Sequence, residues 1–155
     1  MKKIPLTRGQ FALVDDSDFE WLSQYKWSAL LKHPKIGYWI ATTTIKNKKI
    51  SMHRLIMNAS KDKEIDHKNH NGVDNRRQNL RICTHAENQQ NKNSVRGTSR
   101  FKGVVWHKLV RKWMSHIGFN CKTIHLGYFN NEIDAALAYD KAAKELFGEF
   151  AYTNF

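Results

Sequence analysis

Ile65-Asp66-His67-Lys68-Asn69-His70-Asn71-Gly72-Val73-Asp74-Asn75-Arg76-Arg77-Gln78-Asn79-Leu80-Arg81-Ile82-Cys83-Thr84-His85-Ala86-Glu87-Asn88 is the stretch whose local rules decide the fold. Asp66 and His67 end a short apolar approach and run into a loop rich in Asn, Asp and Gly, which reads as a strand end followed by turns. Leu80 to Cys83 is a second short strand candidate, able to pair back on the first. Thr84 and Glu87 have the spacing of a capping box, so a helix starts there with Asn88 at its fourth position. The order is strand, loop, strand, helix. Such a unit sets the end of the first strand against the first turn of the helix, where the Asp66 carboxylate and the Asn88 amide oxygen can share a hard cation, Mg²⁺ or Mn²⁺. Two protein oxygens cannot fill an octahedral shell, so water and a phosphate must supply the rest. His67, beside the carboxylate and with an ordinary pKa near neutrality, is the candidate general base.

Charge supports a polyanionic partner. The 155 residues carry a formal +12, and residues 45–102 alone hold a net +9, against +2 before them and +1 after. A merely solvated surface is the alternative, but nucleic acid is the expected partner of so basic a middle. Membrane binding is not expected, because no amphipathic segment joins the basic residues to an apolar face. An apolar fraction of 41% excludes wholesale disorder. Cys83 and Cys121 do not form a CxxC pair, so no structural zinc or disulfide framework is expected. No apolar run reaches signal or transmembrane length, and the expected location is cytoplasmic.

Outward from the centre, Phe11 to Val14 reads as a strand, and Ser17 with Glu20 as a capping box opening a helix. Trp27 to Leu31 and Tyr38 to Thr44 read as strands joined by a turn through Pro34 and Gly37. Trp21, Tyr25, Trp27, Tyr38 and Trp39 could form a base-stacking platform; aromatics at such spacing read better as core. Residues 89–100 hold one aliphatic side chain among amides, hydroxyls and cations, a linker composition. Beyond lie strand candidates Phe101 to Trp106, Trp113 to Gly118 and Thr123 to Phe129. A helix follows from Glu132 to Phe147, capped by Asn130 or Asn131 and stopped by Gly148. Its stripe is Ala135, Ala138, Ala142 and Leu146, with Ala136, Tyr139 and Ala143 beside it.

The central stretch resembles the HNH endonucleases of the ββα-metal fold, in particular the phage and homing-type subgroup whose last motif residue is Asn. Carrying the resemblance are Asp66-His67, Asn79 twelve positions after His67, Asn88 nine further on, Met52-His53-Arg54-Leu55-Ile56 upstream and Asn79-Leu80-Arg81 within; it covers roughly residues 50–92. It implies His67 as general base, Asp66 and Asn88 as ligands of one metal ion per active site, and Asn79 as the residue holding the loop and His67 in place. Without that spacing, an Asn- and His-rich loop would be a surface turn with no chemistry. His70 and His85 read as spare polar residues, and His53 with Arg54 as candidate phosphate contacts. Arg76, Arg77 and Arg81 are further DNA-contact candidates.

Phe101-Lys102-Gly103-Val104, Lys112-Trp113, Leu126-Gly127-Tyr128-Phe129, Ala135 to Ala143 and Thr153-Asn154-Phe155 resemble the APETALA/ethylene-response-factor DNA-binding domain. That implies a three-stranded antiparallel sheet on one helix, with the open face in the major groove. Alternation turns Trp113, Ser115 and Ile117 to the helix and Lys112, Met114 and His116 outward, joined there by Val105, His107, Thr123 and His125. Where plant members carry arginines and tryptophan, this chain has Val105, His107 and His125, so base preference is not inherited. Lys108 and Arg111 read as phosphate contacts. The bland alternative is a domain that only stabilises the nuclease.

The expected class is α+β: a small N-terminal α/β region (1–50) leading into a ββα-metal core (51–91), a basic linker (92–100) and a sheet-and-helix domain (101–155). The expected function is sequence-directed, divalent-metal-dependent cleavage of double-stranded DNA by a monomeric, homing-type nickase. Its catalytic residues are His67 and Asn79 and its metal ligands Asp66 and Asn88. The DNA contacts are His53, Arg54, Arg76, Arg77, Arg81, Lys92, Arg96, Arg100, Lys102, His107, Lys108, Arg111, Lys112, His116, Thr123 and His125. The alternatives are a DNA-binding transcriptional regulator with an inactive nuclease fold, and an RNA binder, disfavoured for want of an exposed aromatic platform.

Overall fold

In the computed structural model, which describes residues 1–92 and 97–155, the chain builds four small antiparallel sheets and four α-helices among the described residues. It divides into two units, Met1–Asn88 and Gln89–Phe155. Among the described residues no helix is long and apolar enough to cross a membrane.

In the first unit, β1 (Lys2–Pro5) and β2 (Phe11–Val14) form a hairpin that leads into α1 (Asp16–Ser23). A three-stranded sheet follows, β3 (Ser28–His33), β4 (Tyr38–Ile45) and β5 (Lys48–Ser51), with β4 in the middle. Four consecutive residues of β4, Ile40 to Thr43, are buried, so the strand is covered on both faces. Then come α2 (Met52–Met57), β6 (Glu64–His67), β7 (Leu80–Cys83) and α3 (His85–Gln90). The core joins Ile4, Val14, Leu22, Trp27, Ala41, Met52, Ile56, Ile65 and Leu80, with Trp21, Tyr25 and Trp39 packed against it. Four of the five N-terminal aromatics are therefore core; Tyr38 is not among them.

Two local expectations change. The Ser17–Glu20 box does not form, because α1 begins two residues earlier with Asp15 at its N-cap. The Asp15 carboxylate accepts no helix N–H; its Oδ2 accepts the backbone N–H of Arg77 at 2.8 Å instead. Acidic Asp16 and Asp18 in the first turn stabilise the positive end of the helix in place of the box. The second addition is β5 and α2, elements of four and six residues, too short to print a period on the sequence.

The long loop between β6 and β7 is pinned to these earlier elements. Leu13 donates its N–H to Val73 O, and Asn75 returns one to Leu13 O, both at 2.8 Å. Gly72 lies against β4 so closely that a Cβ there would sit 2.4 Å from Trp39 O and 2.7 Å from Tyr38 Cζ. Only glycine lets that loop settle there.

In the second unit β8 (Val104–His107), β9 (Lys112–Phe119) and β10 (Lys122–Phe129) form a meander with β9 central, followed by α4 (Glu132–Phe147). Asn131 caps α4 by accepting Ile133 N–H at 2.9 Å, and Gly148 ends it. The buried line runs along Ala135, Ala136, Tyr139, Ala143 and Phe147. Ala138, Ala142 and Leu146 are only half-buried at its edge, so the stripe is turned slightly from the expected one. The register fits the expected faces of β9: Ser115 and Ile117 are buried and Trp113 packs with Val104 and Ala135. On β10 a bulge between His125 and Gly127 breaks the alternation. Gly127 thereby pairs with Ser115, and Tyr128 comes opposite Met114 on the open face. The C-terminal strap is clamped by buried Asp140, which accepts the N–H groups of Asn154 (2.8 Å) and Phe155 (3.0 Å), while Asn154 Oδ1 accepts Lys102 N–H at 2.8 Å.

Candidate active site

β6 pairs with β7 so that His67 opposes Leu80, Asp66 opposes Arg81 and Glu64 opposes Cys83. Glu64 and Asp66 thus share one face of the strand, about 7 Å apart along it. The Thr84–Glu87 box forms reciprocally: Thr84 N–H donates to Glu87 Oε2 at 2.7 Å and Glu87 N–H to Thr84 Oγ1 at 3.3 Å. Asn88 N–H then makes the first helical bond, to Thr84 O at 3.1 Å, so Asn88 is the fourth residue of α3. Its amide nitrogen donates a very short hydrogen bond to Glu64 Oε2, while Glu64 Oε1 accepts from His85 Nδ1 at 2.7 Å. A carboxylate only accepts, so Glu64 takes the NH₂ end of Asn88 and leaves the amide oxygen as the end free to serve as a ligand. Glu64 and His85 are therefore site-shaping residues that sequence reasoning missed. The signal was the two-residue spacing from Glu64 to Asp66 on one strand.

Asp66 is buried and paired with buried Arg81, whose Nε and Nη2 donate to Oδ2 at 2.8 and 2.6 Å. His67 is 3% exposed. Burial lowers its pKa below the ordinary value, against the opposing influence of Asn75, Asp66 and Asp74. Asn75, wholly buried, favours the charged ring, yet neither its amide atoms nor His67 Nε2 closes a hydrogen bond of good geometry. His67 Nδ1 lies 3.3 Å from Tyr38 Oη. Burial, reinforced by Asp66, pushes the Tyr38 hydroxyl up to about 12.

Asn79 does what holding the loop requires. Its Oδ1 accepts Asn69 N–H at 3.1 Å, its Nδ2 donates to Asp74 O at 2.8 Å, and its backbone oxygen accepts Lys68 N–H at 2.9 Å. These bonds span the loop; they are a positioning role, with no contact to His67 among them.

Several expected DNA contacts are engaged internally. Arg76 holds buried Asp74 through Nε and Nη2 at 2.8 and 2.7 Å, and Arg77 holds buried Asp18 through the same atoms at 2.7 Å each. Arg54 donates to Ser60 O and Lys63 O, and Arg81 is on Asp66. His53 is not a charged phosphate contact. Its ring stands edge-on to His67 at 5.0 Å, and burial, with repulsion from His67, lowers its pKa to about 3. Lys102 is buried, donates from Nζ to Gln90 O at 2.6 Å and lies over the Tyr152 ring at 5.2 Å. Burial lowers its pKa to about 8, so it is a support for the second unit and not a surface contact. Sequence counts the charges but does not say which carboxylate or ring each one meets.

Lys92, Arg100, Lys108, Arg111, Thr123 and His125 are exposed. Arg96 lies outside the described residues. On the open face His107, His125 and Tyr128 cluster, with ring centroids 5.3 Å and 4.6 Å from Tyr128; Lys112 and His116 are half-buried, and His116 Nδ1 is enclosed. Tyr128 was absent from the expected face because the bulge that turns it outward has no counterpart in strict alternation.

Residues 52–90 match the family model described as HNH endonuclease. The chain is 31% identical over 154 residues to an uncharacterised HNH endonuclease of Acanthamoeba polyphaga mimivirus, covering 95% of this chain and 76% of that one. It is also 42% identical over 73 residues to APETALA2-like protein 2 of Oryza sativa, and 41% identical over 69 residues to an ethylene-responsive transcription factor of Arabidopsis thaliana. Those matches cover 46% and 43% of this chain but only 17% and 16% of the plant proteins.

Proposed function

The chain belongs to the HNH endonuclease family, a family of divalent-metal-dependent nucleases, and from that premise we propose that it is a sequence-directed endonuclease that hydrolyses one phosphodiester of duplex DNA. The observation that carries this reading is the β6–loop–β7–α3 hairpin. It ends β6 on Asp66-His67 and lets Glu64, on the same face, take the NH₂ end of Asn88.

The donor set fits a hard divalent cation, Mg²⁺ or Mn²⁺, held by the Asp66 carboxylate and the Asn88 amide oxygen in a ββα-metal arrangement. When bound, such an ion stabilises charge on the phosphoryl oxygens and the departing alkoxide. The protein's own part is the rest. Glu64 sets the Asn88 amide, Asn79 ties the loop, and His67, kept neutral by burial, accepts the proton of the attacking water. Arg81, opposite Asp66 on the paired strand, would be placed to meet phosphate where a bound cation balanced the carboxylate. The Lys92–Arg100 segment and the open face bearing His107, Thr123, His125 and Tyr128 position the enzyme, with Lys108 and Arg111 on phosphates. Homing-type nicking by a monomer inside an infected cell belongs to the same proposal.

Supercoiled plasmid incubated with Mg²⁺ should be nicked, EDTA should stop the reaction, and His67→Ala should abolish it while gel-shift binding stays nearly intact. Retardation of plasmid without cutting by the native chain would instead establish a DNA-binding regulator with an inactive nuclease fold, the reading the plant similarities favour.

A further inference from the structure

His67 meets its surroundings asymmetrically. Nε2 is enclosed, with Asn75 buried at the ring. Nδ1, by contrast, meets a side-chain hydroxyl, so a water that takes that hydroxyl's place reaches the ring at Nδ1. That hydroxyl is Tyr38 Oη, 3.3 Å away. Tyr38 comes from the start of β4, outside the segment 52–90 that matches the nuclease family. Its ring is fixed from behind, because the backbone of Gly72 lies where any side chain would strike Tyr38 Cζ. A phenol whose pKa stands at about 12 stays protonated throughout the working range and is a hydrogen-bond donor.

We infer that Tyr38 is the positioning residue of the catalytic histidine: its hydroxyl donates to Nδ1 of His67, holds the ring with the proton on Nε2, and marks the seat of the attacking water. This rests on the proposed role of His67 as general base. The imidazole is gripped on two sides, by the Tyr38 edge at 6.5 Å between centroids and by His53 at 5.0 Å. Tyr38 is not consumed. When DNA enters, the water takes the Nδ1 lone pair and the tyrosyl hydroxyl turns to hydrogen-bond that water, so ring and nucleophile are held together as the proton moves.

The test uses the full chain with ¹⁵N-labelled histidine. In the native protein the His67 signals should report a protonated Nε2 and a bare, hydrogen-bonded Nδ1. In Tyr38→Phe, which keeps the ring on Gly72, the Nδ1 signal should move to that of an unbonded nitrogen. The single-turnover nicking rate at saturating DNA should fall about tenfold, with affinity and melting temperature unchanged. Tyr38→Leu, which also removes the ring, should lose stability in addition. A native Nδ1 that carries the proton, or an Nδ1 signal unmoved in Tyr38→Phe, overturns the inference whatever the nuclease assay shows. Full nicking by His67→Ala would overturn the role of His67 on which it rests, and is read separately.

Discussion

At Asp66 a guanidinium and a candidate cation compete for one carboxylate. Arg81 and Asp66 are both buried and joined through two N–H groups, and breaking such a pair from one side costs about 3 kcal/mol or more because a charge is left uncompensated. Arg81→Ala should therefore lower the melting temperature in EDTA. Millimolar Mg²⁺ should restore more of the loss in the variant than it adds to the native chain, since the ion replaces the lost charge. Equal Mg²⁺ responses in calorimetry would remove Asp66 from the ligand set. Glu64 shows the same logic with opposite sign: its two oxygens take His85 and Asn88, and so it orients the candidate ligand by binding the end of the amide that cannot ligate.

Among the elements, α3 is six residues long, and a helix so short does not hold itself together in water. Its capping box and the Glu64 contact do that work. Thr84→Ala should cost about 1 kcal/mol in urea denaturation and reduce nicking by more than the unfolded fraction accounts for, because the first turn carries Asn88. A variant as active as the native chain under conditions where both are folded would separate the cap from the site. The β-bulge in β10 is the comparable device in the second unit, converting Tyr128 from a helix-facing to an open-face residue. Asn154 and Asp140 close that unit by a clamp between its first strand segment and its last residues.

At the scale of the molecule, the basic excess is partly internal. Asp18 and Asp74, in α1 and in the β6–β7 loop, are both nearly inaccessible. Their pKa values are held below the ordinary carboxylate range, chiefly by the hydrogen bonds of Arg77 and Arg76 respectively. A depressed folded-state pKa contributes stability that is present above the unfolded value, about 3.9, and is lost as pH falls through the folded value. The contribution of these two carboxylates should thus be level down to about pH 5 and be lost below about pH 4, on top of an earlier decline that starts near pH 6.5, where His53 and His67, whose pKa values burial lowers, take up protons more readily in the unfolded chain. In Arg77→Met the neutral-pH stability should be lower and the acid decline shallower, since Asp18 left buried alone protonates more readily. An unchanged acid profile, followed by circular dichroism, would show that this pair does not couple to folding.

How much was legible in advance follows the range of the forces involved. The strand–loop–strand–helix order, Asn88 at the fourth helical position and the helix Glu132–Phe147 were readable because alternation, capping and helical spacing act between residues two to four apart. The tertiary structure alone decided that Arg77 meets Asp18, 59 positions away, and that Tyr38 meets His67, 29 positions away. It alone set the His53 ring against His67, buried Lys102 and turned Tyr128 onto an open face. No local pattern records such pairings, because a charge or a hydroxyl has the same identity whatever it faces. Its partner is chosen by the packing of distant segments, here the N-terminal sheet against the β6–β7 loop at Gly72.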